Sequence, residues 1–413
     1  MRFLQSAPAL GIAVGDPLGV DRSVAQSSSL HTAIARDWDA FEALRGDWSR
    51  LLGRSAADSV FLTWEWIRTW LDCGARRWQP LIVIVRDAGG TMVGIAPFYV
   101  AQYRLLHALP VRVLRLAGDF PTGAEYGDWI VARERETEAC AAIGAALHGA
   151  RGSWDCIWMP NVSGWSGALE RTRQVASAGA MHLRSRPIHF GHIDLPPTLA
   201  EYENTLSANR RQQIRRKRRN LLKEPGVTLS SPADAAQLER SLEDLFRLHN
   251  ARWMTRGDPG TFVRKPMQAE FYRRFAPVAL ANGWLRLHTL SLGGEARAIQ
   301  YGYCYKGTFL QLQEGFDPAY QADAGNVLRH YAIESCINEG LKCYDFLGEM
   351  TEHKTRWQAT RRSGCDLFMI RSGVRNLPLR LLPLWPTGRH LKAEGEFAPA
   401  IEATVDTSTG DPA

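Results

Sequence analysis

The sequence predicts a mixed α/β protein built as two tandem domains, each a mixed, mainly antiparallel sheet flanked by helices. Three observations predict it. A run of helices, a meander of strands joined by glycine turns, a helix and a closing strand occurs before residue 195 and again after it. Pro196 and Pro197 break the chain between the copies. The 413 residues also exceed what one core usually serves, about 150 residues per domain being the working prior.

Residues 1–30 read as a flexible leader, with one early arginine and no apolar segment followed by a cleavage site. The first domain, 31–195, opens with one helix over DWDAFEALRGDWSRLL and a second over FLTWEWIRTWLD. In the latter, Trp64, Ile67, Trp70 and Leu71 fall on one face and read as a core stripe. Strands follow at PLIVIVRD, TMVGIAPFYVA and VRVLRLAG, the first pair joined by the turn AGG. A further strand near AEYGDWIVA, a helix over 134–149, the strand WDCIWMP, a helix after Gly164 and the strand MHLRSRPIHF complete this half.

The second domain, 196–372, repeats the order. Helices cover 199–223 and stop at EPG before the strand VTLSS. Leu238, Leu242, Leu245, Phe246 and Trp253 mark a long amphipathic helix, and 270–282 another. The meander is WLRLHTLSL, EARAIQYGYCYK and TFLQLQEGFD, followed by a helix over 326–339 and the strand KCYDFL. The tail 373–413, with Pro378, Pro383, Pro386, Pro399 and Pro412, reads as extended or disordered.

Composition narrows the class. A hydrophobic share of 45% with 23% charged residues is ordinary for a globular chain and excludes a disordered or fibrous one. Seven scattered cysteines without a C-x-x-C pair point to reduced thiols and a cytoplasmic protein. No apolar run approaches the roughly 18 to 20 residues that span a bilayer. His189 and His192 have no third ligand nearby, so no metal site is expected. There is no G-x-S-x-G, P-loop or complete dinucleotide fingerprint.

The charge is concentrated. Residues 207–223, SANRRQQIRRKRRNLLK, hold eight Lys or Arg and no acid, whereas the whole chain carries only +7. At helical spacing Ile214, Leu221 and Leu222 form a narrow docking stripe, leaving Arg211, Arg215 and Arg218 around the rest. Such a row is either a solvated face or a contact for an anionic partner: a nucleotide-type cofactor, a glycan, RNA or an acidic membrane surface. A second anion site is suggested where a strand ends in a polar loop and Gly325 opens a helix. There the amides of Gly325, Asn326, Val327 and Leu328 point outward toward a pyrophosphate-like group.

The chain resembles the GNAT acetyltransferase superfamily, specifically the CelD-like proteins associated with cellulose and exopolysaccharide biosynthesis, which are related to the Fem-type aminoacyltransferases. The resemblance covers about residues 35–372 and rests on Trp64, Glu65, Trp66 and Trp70, GIAPFY, LRLAGD, LSANRRQQIRRKRRNL, His249 with Trp253, GFDPAY, AGNVL, and YDFLGE with Lys354, Arg356 and Trp357. It departs from the family at Ala324-Gly325, usually Pro-Gly, and at His353-Lys354, usually Tyr-Lys.

The resemblance implies acyl transfer from acetyl-coenzyme A or another acyl-coenzyme A, without a metal, to an amine or hydroxyl of a sugar, polysaccharide or cell-envelope precursor. The N-terminal domain would be a degenerate copy. Acyl transfer needs a base and a group that stabilises the oxyanion or protonates the thiolate. Glu314 is the first candidate base, Asp345 the second, and Tyr320 a candidate acid. Lys354 and Arg356 join residues 325–328 as candidate coenzyme A contacts. Arg211, Arg215, Arg218, His249 and Trp253 are candidates for the acceptor side. Two rival expectations stand: a non-catalytic module gripping RNA or a glycan, and a Fem-like aminoacyl-tRNA-dependent ligase.

Overall fold

The computed structural model describes residues 30–320, 323–382 and 390–393; residues 1–29 of the expected leader lie outside them. The first half runs β1 (His31–Ala35), α1 (Trp38–Glu42), α2 (Arg45–Arg54), α3 (Trp64–Asp72), β2 (Gln79–Arg86), β3 (Met92–Leu105), β4 (Leu109–Leu116), β5 (Ile130–Val131), α4 (Glu136–Gly149), β6 (Cys156–Ser163), α5 (Ala168–Ala178) and β7 (Met181–Asp194). The second opens with α6 (Leu199–Thr205) and α7 (Ala208–Leu221) and then repeats the pattern. It runs β8 (Val227–Ser230), α8 (Ala235–Met254), α9 (Thr261–Arg264), α10 (Pro266–Ala281), β9 (Leu285–Leu292), β10 (Glu295–Tyr305), β11 (Thr308–Phe316), α11 (Ala324–Asn338), β12 (Cys343–Glu349), α12 (Glu352–Thr355) and β13 (Thr360–Arg371). After them come α13 (Leu377–Arg380) and β14 (Leu391–Ala393).

These strands form one sheet in the order β1-β2-β3-β4-β6-β13-β7-β12-β11-β10-β9-β8, with β5 and β14 on β3. The halves exchange their last strands at its centre. β13 lies between β6 and β7, paired with β7 from Thr360↔His192 to Arg371↔Met181, and β7 also pairs with β12. Two pairings are parallel, β4 with β6 and β11 with β12, and each lies just before its half's exchanged strand.

Local chemistry explains the boundaries. Thr198 and Glu201 form a reciprocal capping box at α6, and the Asp234 carboxylate accepts from the Gln237 amide at 2.7 Å to start α8. Pro266 occupies the first turn of α10, where a missing N–H costs nothing. The helix expected as one piece over 37–52 divides into α1 and α2, and the strand expected near 124–132 contracts to β5 because Tyr126 takes a left-handed φ of 57°. β13 was hidden from the sequence reading: Leu367, Phe368, Met369 and Ile370 are all buried between two neighbours, so no alternation marks them. Within the expected extended tail, α13 forms a helical turn and β14 pairs with β3, while 383–389 and 394–413 lie outside the described residues.

The apolar stripe of α3 is buried at Ile67, Trp70 and Leu71, but Trp64 is only partly covered. Trp66 takes the interior place and joins the halves, its ring 4.6 Å from Phe271, 4.8 Å from Phe275 and 5.8 Å from Tyr303.

Candidate functional site

β11 and β12 pair only from Thr308↔Cys343 to Leu310↔Asp345. Beyond that, β11 continues to Phe316 while β12 turns away at Leu347 and Gly348, whose φ values are 51° and 60°. A left-handed leucine is a costly conformation, held here by the strands on either side. Beside this end of β11 opens a cleft of about 800 Å³, walled by β11, α7, α8, the start of α11, and His353 and Arg356 just beyond β12. Its lining includes six Arg or Lys side chains, Arg210, Lys217, Arg252, Arg256, Arg329 and Arg356, against three acids, Glu314, Asp317 and Asp323. The excess is positive.

The helix start behaves in part as expected. Asp323, at φ 59°, places no side-chain oxygen on the backbone amides of α11, and the first turn holds no acid. Gly325 and Asn326 line the cleft. A Cβ at Gly325 would lie 3.2 Å from the Phe316 ring, so glycine is what lets the helix start lie this close to β11. Val327 and Leu328 do not face the cleft: both side chains are buried with Leu221, Leu290 and Ala298, and the Val327 amide donates to the Asp323 carbonyl at 3.1 Å.

The basic helix α7 packs beside α11 in a different phase from the one expected. Arg211 donates to Asn204 at 2.8 Å, Arg215 Nε to Glu203 at 2.7 Å, and Arg218 to Glu334 and, at 3.1 Å, to the His330 ring. None of these three lines the cleft; two are internal ion pairs, which offset part of the like-charge repulsion. The cleft receives Arg210, Gln213 and Lys217 instead. Lys217 pairs with Asp323 at 2.7 Å. Arg210 sits over Trp357 at 4.9 Å and donates to Asn326 Oδ1 at 3.3 Å. Its Nε is buried without a partner, and it has no carboxylate at ion-pair distance among the described residues. Burial lowers its pKa, against the pull of the nearby Asp323 carboxylate.

The expected base does not fit that role. Glu314 accepts from Arg252 at 2.8 Å, Gln311 at 3.0 Å and Arg329. Burial would raise its carboxyl, but the Arg329 and Arg252 guanidiniums overcome this and hold it well below the usual carboxylate range. A carboxylate so stabilised is a weak proton acceptor; it anchors two cations. His353 accepts from Arg329 at 2.6 Å, and burial with that cation pushes it down to about 3, so it is neutral. Asp345 lies outside the cleft, accepting from Tyr126 at 2.9 Å and from the Leu347 amide at 2.8 Å. Tyr320 lines the cleft, yet its hydroxyl donates to Glu224 at 2.6 Å, and its pKa is pushed up to about 12 by burial and that carboxylate.

Lys354 also departs from expectation. Its ammonium donates to the carbonyls of Leu347, Gly348 at 3.1 Å and Glu349 at 2.7 Å and does not line the cleft, whereas Arg356 does, while pairing with Glu352 at 2.9 Å. His249 and Trp253 do not line it either: His249 Nδ1 donates to the Glu314 carbonyl at 3.1 Å, and burial pushes the ring down to about 4. Behind the β12 turn the Gly348 amide donates to Glu125, and burial pushes that carboxyl up to about 7 against the pull of Gly348 and Lys354.

Arg210, Lys217, Arg252 and Arg329 line the cleft without having been singled out by the sequence reading, and His353 was noted there only as a departure from the family. Arg210 and Lys217 belonged to a named helix whose rotation was misjudged; the others converge from separate elements and carry no local signal. The arrangement can bind a polyanion along α7 and the start of α11 and stabilise negative charge near Arg252 and Arg329. Among the described residues, no cluster of three His, Cys, Asp or Glu side chains could hold a metal ion.

Comparison with known proteins agrees on the fold. Residues 208–355 match the family model described as Acetyltransferase (GNAT) domain. No curated protein sequence matches the chain. Among solved structures, FemX is similar over 83% of this chain and 98% of its own, at 12% identity and a TM-score of 0.56. A tandem GNAT protein from the clavulanic acid biosynthesis pathway matches over 84% and 99% at 13% identity and 0.45. The L-PGS of Bacillus licheniformis matches over 83% and 95% at 12% identity and 0.46. The chain is mixed α/β with two GNAT-like halves, the second carrying the matched domain and the first repeating its element order.

Proposed function

We propose that the second half binds an acyl-coenzyme A in the β11–β12 cleft and transfers its acyl group to an amine or hydroxyl of a sugar, polysaccharide or cell-envelope precursor. One observation carries this reading: the first turn of α11, which holds no acid beyond the Lys217-paired N-cap Asp323, coincides with Arg210, a partly buried guanidinium lacking a carboxylate at ion-pair distance among the described residues. The amides of Gly325 and Asn326 with Arg210 and Lys217 would hold the phosphates. Backbone groups of β11 past Leu310, which β12 leaves unpaired on that side, would hold an extended pantetheine arm as a strand edge holds a peptide. Arg252 and Arg329 would stabilise charge developing on the reacting oxygen or sulfur. The first half would shape the acceptor groove.

The Fem-like reading is also served by the exposed Arg216 and Arg219, which have no acidic partner among the described residues. Thermal melting separates the readings. A ligand of the native state at about 100 times its Kd stabilises by about 2.7 kcal/mol. Coenzyme A and acetyl-coenzyme A are expected to raise the midpoint, with tRNA inert. A rise with tRNA alone favours the ligase, and no rise with either thioester or free coenzyme A overturns the acyltransferase.

A further inference from the structure

At one end of the sheet lie the β3–β4 turn, the connections leading into β6 and β7, the end of β13, and α13 with β14. Of the ten large hydrophobic side chains that are exposed among the described residues, five are here: Leu106 at 60%, Leu109 at 52%, Val374 at 89%, Leu377 at 48% and Leu381 at 77%. Random exposure of single aliphatics needs no explanation, but half of them on one end of a molecule does.

The pieces are tied together. β14 pairs with β3 at Leu391↔Leu105 and Lys392↔Arg104, and the Leu106 amide donates to the His390 carbonyl at 2.8 Å. Arg184 of β7 donates to the carbonyls of Arg380 at 2.6 Å and Leu382 at 3.2 Å, while Leu379 is buried and anchors α13. The turn and the helix are therefore held to one scaffold, with their aliphatic side chains left outward.

Among the described residues the exposed charge around them is positive. Arg104, Arg151, Arg375, Arg380 and Lys392 are exposed. The sequence holds no Asp or Glu over 88–118, 139–154, 178–193 or 367–382. Among the described residues around these elements the acid is Asp155, only 2% exposed and taken up by Arg112 at 3.1 Å, Arg371 at 3.4 Å and Arg375 at 3.7 Å; Glu394 and Glu396 follow β14 outside the described residues. An aliphatic patch with a polar rim of mixed sign fits a protein partner. A rim that is cationic among the described residues, around aliphatic side chains with no exposed Trp, Tyr or Phe among them to stack on bases, fits acyl chains beneath anionic headgroups.

We propose that this end of the first half docks peripherally on an anionic lipid bilayer, inserting Leu106, Leu109, Val374, Leu377 and Leu381 below a ring of arginines. Among the described residues no helix is long and apolar enough to cross a membrane, so the contact is interfacial. The surface is separate from the cleft and does not rest on the acyltransferase reading.

Flotation of the full chain with vesicles of phosphatidylcholine alone, or mixed with phosphatidylglycerol, tests it. The wild type is expected to float with the anionic vesicles only and to be released by salt. Leu106→Ser, Leu109→Ser, Val374→Ser and Leu381→Ser combined should abolish flotation; because all four side chains are exposed, the fold should persist, as checked by circular dichroism. Neutralising Arg375 and Arg380 to Gln should weaken partitioning roughly 10- to 30-fold, each cation near the surface counting for about fivefold. Arg380→Gln alone covers the case in which losing Arg375 from Asp155 unsettles the fold. Arg216→Gln with Arg219→Gln on α7 should change nothing. The proposal is overturned if the wild type ignores anionic vesicles at low salt, if the four-serine variant floats like wild type, if only the α7 variant is released, or if RNA binds this end in place of vesicles.

Discussion

The gap between β4 and β6 in the first half and the gap between β11 and β12 in the second occupy equivalent places, yet only one is open. The first leaves about 20 Å³ and the second about 800 Å³. In the first half the indole of Trp66 donates to the Gly118 carbonyl at 3.0 Å and that of Trp70 to Phe120 at 2.7 Å, drawing the loop after β4 down over the gap. Gly118, at φ 83°, allows this approach, since a Cβ there would come within 2.9 Å of Trp66. Helix α4 carries Glu136 and Glu138 in its first turn, where α11 carries no acid. One helix start has two carboxylates in its first turn; the other has only its N-cap Asp323, which is paired with Lys217. Duplication of a fold thus does not duplicate a cavity: the aromatic filling and the first-turn charges of the first half have no counterpart in the second.

The largest expected effect breaks the charged wall of the open copy. Glu314→Gln leaves the guanidinium of Arg329, only 3% exposed, without its carboxylate and should destabilise by about 3 to 5 kcal/mol in urea unfolding. If Glu314 instead removed the acceptor's proton, turnover would drop by roughly 10² to 10⁴ with stability intact.

Acid should separate the halves next. His249 and His288 are both buried in the second half, which pushes each down to about 4. A histidine that is neutral in the fold and titrates near 6.5 when unfolded leaves stability complete above pH 6.5. Stability is then lost as the pH falls toward 4, because the unfolded chain takes up protons that the fold refuses. Each contributes at most about 3 kcal/mol. Hydrogen exchange at pH 5 should therefore open the second half before the first; equal protection across both would count against this account.

Giving α11 the acidic first turn of α4 sharpens the comparison. Asn326→Glu should weaken coenzyme A roughly 10- to 100-fold by calorimetry with little change in melting, and Arg210→Gln should act in the same direction, as expected for a lost hydrogen bond to a charged group. Unchanged affinity in both variants would move the anion site elsewhere. The smallest effect belongs to Arg215→Gln, which removes one partner of buried Glu203 but leaves His330 at 3.0 Å, and should lower the melting midpoint slightly while leaving affinity alone. A midpoint that rises would restore the picture of mutually repelling surface charges.

Much of the architecture was legible because strands and helices announce themselves by period. The meanders, the α11 start at Gly325 and the long α8 all follow from spacing and turn residues, and the GNAT resemblance led to the half that matches the acetyltransferase model. The site was legible only where a backbone device made it. Glu314 was found as a position and misread as a base, because its two cations arrive from α8 and α11. Arg215 and Arg218 were misread as ligand contacts because Glu203 and Glu334 lie on neighbouring helices.

By itself the sequence determined the repeated order of elements, the concentration of positive charge in α7 and the open start of α11, all set by neighbours within a few residues along the chain. Tertiary structure alone decided that β7 and β13 change places, that Trp66 and Trp70 close the first gap, and that Arg210 enters the cleft without a carboxylate at ion-pair distance among the described residues. The physical reason is that a guanidinium's role depends on the carboxylates within about 4 Å and on how much water is excluded around it. Arg329 and Glu314 are 15 residues apart, and Arg218 and Glu334 are 116 apart, distances at which only the folded chain supplies both conditions.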